Sequence, residues 1–121
     1  MDVKIKFEKS EIEAEIFQTE FGKKIIEALP FTTKAKLWGK EIYFEIPVKS
    51  SIQNPKNEVE KGDIGYWPDG NCMCLFFGPT PISKGDKIIP ASAIEIIGKI
   101  KSDLKILESI KSGEKIIVEK K

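Results

Sequence analysis

The sequence predicts a mainly β protein: a closed, eight-stranded antiparallel barrel with two short helices, in one domain spanning residues 1–121. Three observations lead there. Short runs in which apolar and charged residues alternate recur along the chain, the period of a half-buried strand. Glycine, proline, asparagine and aspartate fall between these runs at short intervals, as turns in a barrel or sandwich require. The chain of 121 residues, 40% hydrophobic, is large enough for one core without disulfide or metal support.

Val3, Ile5 and Phe7 alternate with Lys4 and Lys6, and Ile12, Ala14 and Ile16 alternate with Glu11, Glu13 and Glu15. The two runs form a hairpin whose wet face is basic on one strand and acidic on the other. Thr19 caps a helix with Phe21, Ile25, Ile26 and Leu29 on one stripe, and Pro30 stops it. Ala35 and Leu37, then Ile42, Phe44 and Ile46, predict a second hairpin around Gly39-Lys40, with Trp38 and Tyr43 on the opposite phase. Residues 50–60 are polar and carry Asn54-Pro55, the pattern of a surface loop, with a short strand near Val59. Strands at 63–67 and 72–77 flank the turn Pro68-Asp69-Gly70-Asn71. The stretch 78–92 holds Pro79, Pro81 and Pro90 and is long for a plain connection, a trait of binding loops. A strand at 94–100, a short helix capped by Ser102 and ended by Gly113, and a strand at 115–119 complete the chain.

Composition narrows the chemistry. All 20 basic residues are lysine, against 19 acidic ones, and histidine is absent. The usual neutral-pH base, the usual zinc ligand, the Ser-His and Cys-His nucleophile pairs and the guanidinium fork are therefore missing. A net charge of +1 gives no general grip on nucleic acid or acidic membranes. No apolar run approaches membrane-spanning length and the N-terminus does not read as a signal peptide, so a cytoplasmic protein is expected. Cys72 and Cys74 stand one residue apart, where a disulfide would be badly strained, and read as buried thiols. No metal and no cofactor is expected. The excess of lysine, glutamate and isoleucine is a feature of heat-adapted proteins.

Residues 62–81 concentrate glycine, proline and aromatics more than any other stretch. Around 72–77 both strand faces are apolar. The small thiols of Cys72 and Cys74 suit a crowded interior beside Phe76, which leaves Met73, Leu75 and Phe77 for the outer face. With Trp38, Tyr43, Tyr66 and Trp67 they outline an apolar groove in which Asn71 and Thr80 supply polar groups. Carboxylate chemistry offers Asp63, Asp69 and Asp86, of which the first two read more simply as turn formers beside glycine.

The run Gly62-Asp63-Ile64-Gly65-Tyr66-Trp67-Pro68 and the run Leu75-Phe76-Phe77-Gly78-Pro79-Thr80-Pro81 carry a family resemblance. Together with Leu37-Trp38-Gly39-Lys40-Glu41-Ile42-Tyr43-Phe44, Pro90-Ala91-Ser92 and Ile97-Gly98-Lys99-Ile100, they resemble the small prokaryotic cyclophilin-like proteins of Thermotoga type over nearly the whole chain. The resemblance implies the same closed eight-stranded barrel and no particular activity. More distantly, Met73-Cys74-Leu75-Phe76-Phe77 is similar to the Gly-Ser-Gln-Phe-Phe strand of true cyclophilins, which are peptidyl-prolyl isomerases; that similarity would put Phe77 in the proline pocket. Their site also uses an arginine and a histidine, and this chain has neither.

Isomerisation must overcome a barrier of about 18–20 kcal/mol. The nearest substitutes for the missing arginine are Lys36 and Lys40, whose hydrated ammonium groups lack the planar fork. The sequence therefore reads as a binding module for a peptide, protein or small molecule, without efficient isomerase activity. The alternatives are a divergent peptidyl-prolyl isomerase and a small hydrolase or lyase.

Overall fold

The structure is a computed structural model that describes all residues, Met1–Lys121. Nine strands form one antiparallel sheet: β1 (Asp2–Lys6), β2 (Glu11–Ile16), β3 (Phe31–Lys34), β4 (Lys36–Leu37), β5 (Glu41–Glu45), β6 (Asp63–Trp67), β7 (Cys72–Phe76), β8 (Glu95–Ile100) and β9 (Lys115–Lys120). Their order is β3-β9-β1-β2-β8-β6-β7-β5-β4. The two ends of this order, β3 and β4, are separated in the chain by Ala35 alone. One bent segment thus pairs with β9 through its first half and with β5 through its second, and rolls the sheet shut. Ala35 is buried, and its backbone bonds to Glu114 O and Gly113 N, both at 2.8 Å, hold the bend. The expected count of eight becomes nine because Phe31–Lys34 pairs too. Its Thr32-Thr33 pair suits a strand, but it directly follows Pro30, which reads only as a helix stop.

The β1–β2 hairpin forms with Val3 opposite Ala14 and Ile5 opposite Ile12, all facing the core. On its wet face the lysines reach diagonally or to the next strand: Lys4 to Glu11 at 3.7 Å and Lys6 to Glu119 at 2.8 Å. Such exposed pairs add little stability. The helix α1 (Glu20–Glu27) is capped by Thr19, whose hydroxyl accepts from Gly22 N at 3.0 Å. It buries Phe21 and Ile25, and the Phe21 ring meets the Tyr66 ring edge-on. At the other short helix, a 3-10 helix over Leu104–Ser109, the cap is Asp103 rather than Ser102. The Ser102 hydroxyl is engaged elsewhere, accepting from Glu13 N at 2.8 Å.

The main correction concerns the faces of β7. Ile42 and Phe44 of β5 point into the barrel, and they stand opposite Leu75 and Met73. Directly paired residues share a face. Met73 and Leu75 therefore lie in the barrel core, while Cys72, Cys74 and Phe76 face outward. The outer face is nevertheless dry, because Val59, Ile88 and Ile94 close over Cys74 and Phe76 as a second small core. The β5–β6 and β7–β8 connections carry this cover, tied down by bridges between Val59 and Ile88 and between Lys56 and Ile94. Gly65, opposite Cys74, makes room for it: a Cβ there would come within 2.9 Å of Ile94 Cδ1.

Candidate functional site

The cover ends before it reaches β5, and a pocket of about 280 Å³ opens there. Its floor is the outer face of β5 and β7, with Glu41, Tyr43 and Cys74; its walls are Trp38, Trp67, and Pro90, Ala91 and Ile94 from the cover. Trp38 is placed by the Gly39-Lys40 hairpin turn, in which Trp38 N donates to Glu41 O at 2.9 Å and Glu41 N to Trp38 O at 3.2 Å. Gly39 takes φ +59 there, and a Cβ would press on Pro79 O at 2.9 Å. Both facts call for glycine.

The opposite wall is held by a polar relay. Trp67 Nε1 donates to Ser92 Oγ at 2.6 Å, and the Ser92 hydroxyl donates to Asp69 Oδ2 at 2.9 Å. The Tyr43 and Trp67 rings stand nearly perpendicular, at 86°, with centroids 6.2 Å apart. Replacing Ser92 by Ala should cost about 1 kcal/mol of stability and loosen the Trp67 indole, read as lower tryptophan anisotropy. Unchanged anisotropy would mean that packing alone holds the ring.

Among these apolar walls lies one carboxyl. Glu41 is 5% exposed, and its Oε1 has no hydrogen-bond partner. Burial pushes its pKa up from 4.5 to about 7, and the Cys74 thiol beside it, a weak donor, only partly offsets this. The Cys74 thiol is driven well above its ordinary value, first by burial and then by the Glu41 charge. It stays protonated and is no nucleophile at neutral pH. Glu41, poised near neutrality, can hold a positive charge or exchange a proton with whatever enters the pocket.

Of the residues the sequence marks for a groove, the pocket brings together Trp38, Tyr43 and Trp67. The others lie apart. Tyr66, Met73 and Leu75 are inside the barrel, at most 2% exposed. Asn71 closes the β6–β7 turn at φ 53, its side chain donating to Ile46 O and accepting from the Tyr66 hydroxyl. Thr80 is buried and knots the long loop through Ser83 and Ile89 O. Phe77 is half-buried and lines a separate hollow of about 220 Å³ with Leu37, Lys40, Leu107 and Glu108, across which Lys40 and Glu108 pair at 3.4 Å. The aspartates are likewise not gathered into a site. Asp63 is buried against Lys99 at 3.1 Å and accepts from Glu60 N, Asp69 serves the Trp67 relay, and Asp86 is exposed.

The residues that sequence reasoning missed are Glu41, Cys74 and the cover residues Pro90, Ala91 and Ile94. Glu41 shares its strand face with Tyr43, two residues on, and with Glu45, which is exposed, so it reads as a wet residue. The usable signal was the three apolar residues Cys72, Cys74 and Phe76 on the facing strand, which show that this outer surface must be covered.

No cluster of three or more His, Cys, Asp or Glu side chains is placed to hold a metal ion, and no helix is long and apolar enough to cross a membrane. A comparison with curated proteins finds no match. Among solved structures, the solution structure of a hypothetical protein from Archaeoglobus fulgidus is 42% identical, with a TM-score of 0.85, and the alignment covers 100% of this chain and 95% of that one. The family model described as cyclophilin-like matches residues 1–119. By sequence over almost its full length and by the rolled antiparallel sheet, the chain belongs to the cyclophilin-like family.

Proposed function

We propose that this protein is a ligand-binding module whose site is the pocket between Trp38, Tyr43 and Trp67, and that it is not an efficient prolyl isomerase. The observation that carries the reading is Glu41: a buried carboxyl oxygen without a partner, at the floor of an otherwise apolar pocket. Buried polar groups are nearly always satisfied, and those that are not commonly mark a place where something binds or reacts. A mostly apolar hollow with one or two placed polar groups is the usual form of a small-molecule site, and about 280 Å³ suits a small ligand better than a stretch of peptide.

Two facts weigh against isomerisation. The chain has no arginine to donate to a pyramidal prolyl nitrogen. Beside Phe77, moreover, the nearby lysine Lys40 is already paired with Glu108.

Both tryptophans of the chain line the pocket, so tryptophan emission reports on this site alone. A set of small amines, acids and uncharged aromatics should contain probes that change the emission and shift the backbone amides of Trp38, Glu41, Tyr43, Trp67 and Ala91 together. Shifts scattered over the surface, or none with any probe, would refute the reading. In parallel, prolyl-peptide isomerisation should stay at its uncatalysed rate.

A further inference from the structure

Resting on that reading of the pocket, we infer that its ligand is a small organic cation, an alkylated ammonium group held between the Trp38, Tyr43 and Trp67 rings against the Glu41 carboxylate. The ring faces carry negative potential and attract a cation, more strongly where water is excluded. The Glu41 carboxylate adds a full charge, and its Oε1 has no hydrogen-bond partner.

The charges around it leave that role open. On β5, Glu45 is exposed and pairs with Lys36 of β4 at 3.9 Å. Lys36 itself lies 5.9 Å from the Tyr43 centroid, half exposed, which shows that this ring is within reach of a cation. On β7, Cys72 and Cys74 both have raised pKa values and remain neutral thiols. On the cover side, Pro90, Ala91 and Ile94 bring no charge, and Asp69 is engaged with Ser92. No lysine lowers the Glu41 pKa.

The alternatives fit less well. An anion would bury a second negative charge beside the first. A neutral apolar ligand would exclude water and leave Glu41 Oε1 unpartnered. A bare metal ion needs several oxygen, nitrogen or thiolate ligands, and the pocket offers one carboxylate. A primary ammonium needs three acceptors, whereas a fully alkylated, quaternary one needs none and lays its methyl groups on the rings.

The test uses choline and its uncharged carbon isostere, 3,3-dimethylbutan-1-ol, titrated into the full chain and followed by tryptophan emission and amide shifts. At pH 8 choline should bind at least about tenfold more tightly than the isostere. Because Glu41 titrates near 7 when the pocket is empty, choline should bind up to about tenfold more weakly at pH 6, while the isostere should be insensitive. Glu41→Gln should remove choline's pH dependence and most of its advantage, leaving the few-fold preference that the rings alone supply; the pH dependence of the unmodified protein gives the same answer should that variant fold poorly. Equal affinities, or choline binding that ignores pH, would overturn the inference. If both fail while another probe shifts the pocket amides, the cation reading falls and the binding site stands. If no probe of any class binds, both fall.

Discussion

Between pH 5 and pH 8 the ligand-free protein should lose roughly 2–3 kcal/mol of unfolding free energy through Glu41, as its pKa of about 7 in the fold against 4.5 otherwise requires. A carboxyl whose pKa is raised by folding binds more protons in the native state than in the unfolded chain across this interval. Stability therefore falls as pH rises from about 4.5 to about 7 and levels off above. The other shifted groups act outside this window. Asp2 and Glu13, lowered by Lys101 and Lys121, lose their contribution only in acid; Lys6 and Lys121, raised by Glu119 and Glu13, lose theirs only near the lysine range. The thiols of Cys72 and Cys74, raised by burial, matter only above about 9. Urea unfolding at a series of pH values checks the expectation: the Glu41→Gln variant should be flat where the unmodified protein slopes. A slope unchanged by the substitution would assign it to other groups.

Phe76→Ala should cost about 3–5 kcal/mol, the usual loss for a fully buried phenylalanine, and Phe77→Ala about half as much. Phe76 is wholly buried beneath Val59, Ile88 and Ile94, whereas Phe77 is half-buried at the edge of the barrel. The comparison bears directly on the cover. If it lay open, Phe76 would be a surface residue and its truncation cheap. Chemical denaturation of both variants measures the difference, and a reversed order would exchange the two phenylalanines between core and edge.

The strands with charged outer faces were legible in the sequence because alternation there has a sign. In β1 and β2, lysine and glutamate mark the wet side, so Val3, Ile5, Ile12, Ala14 and Ile16 could only point inward. In β7 every residue is apolar, and alternation gives a period without saying which phase is inside. That choice depends on which strand lies alongside. Once β5 is the neighbour, Ile42 opposite Leu75 and Phe44 opposite Met73 decide it. The cover depends on contacts still more distant in the chain, from Val59 and Ile88 onto Cys74 and Phe76.

The site was partly legible for the same reason. Trp38 and Tyr43 were read on the outer phase of their hairpin, where they stand, and Trp67 ends β6, on the far side of β7 from that hairpin. Glu41 was not legible, since a glutamate on an outer phase is ordinarily solvated; here it lies against the outward-facing Cys74 of the neighbouring strand, among pocket walls that include Pro90, Ala91 and Ile94. The bend at Ala35 was missed because it divides one segment between two partners, a division set by barrel closure rather than by the residues of the segment.

The most direct measurement is the titration of the Glu41 carboxyl carbon by NMR in the ligand-free protein, assigned through the Glu41→Gln variant. A buried carboxyl with only the Cys74 thiol beside it and Oε1 left without a partner should titrate with a midpoint near 7. A midpoint near 4.5, the ordinary glutamate value, would show a solvated side chain and remove the group on which the binding site is built.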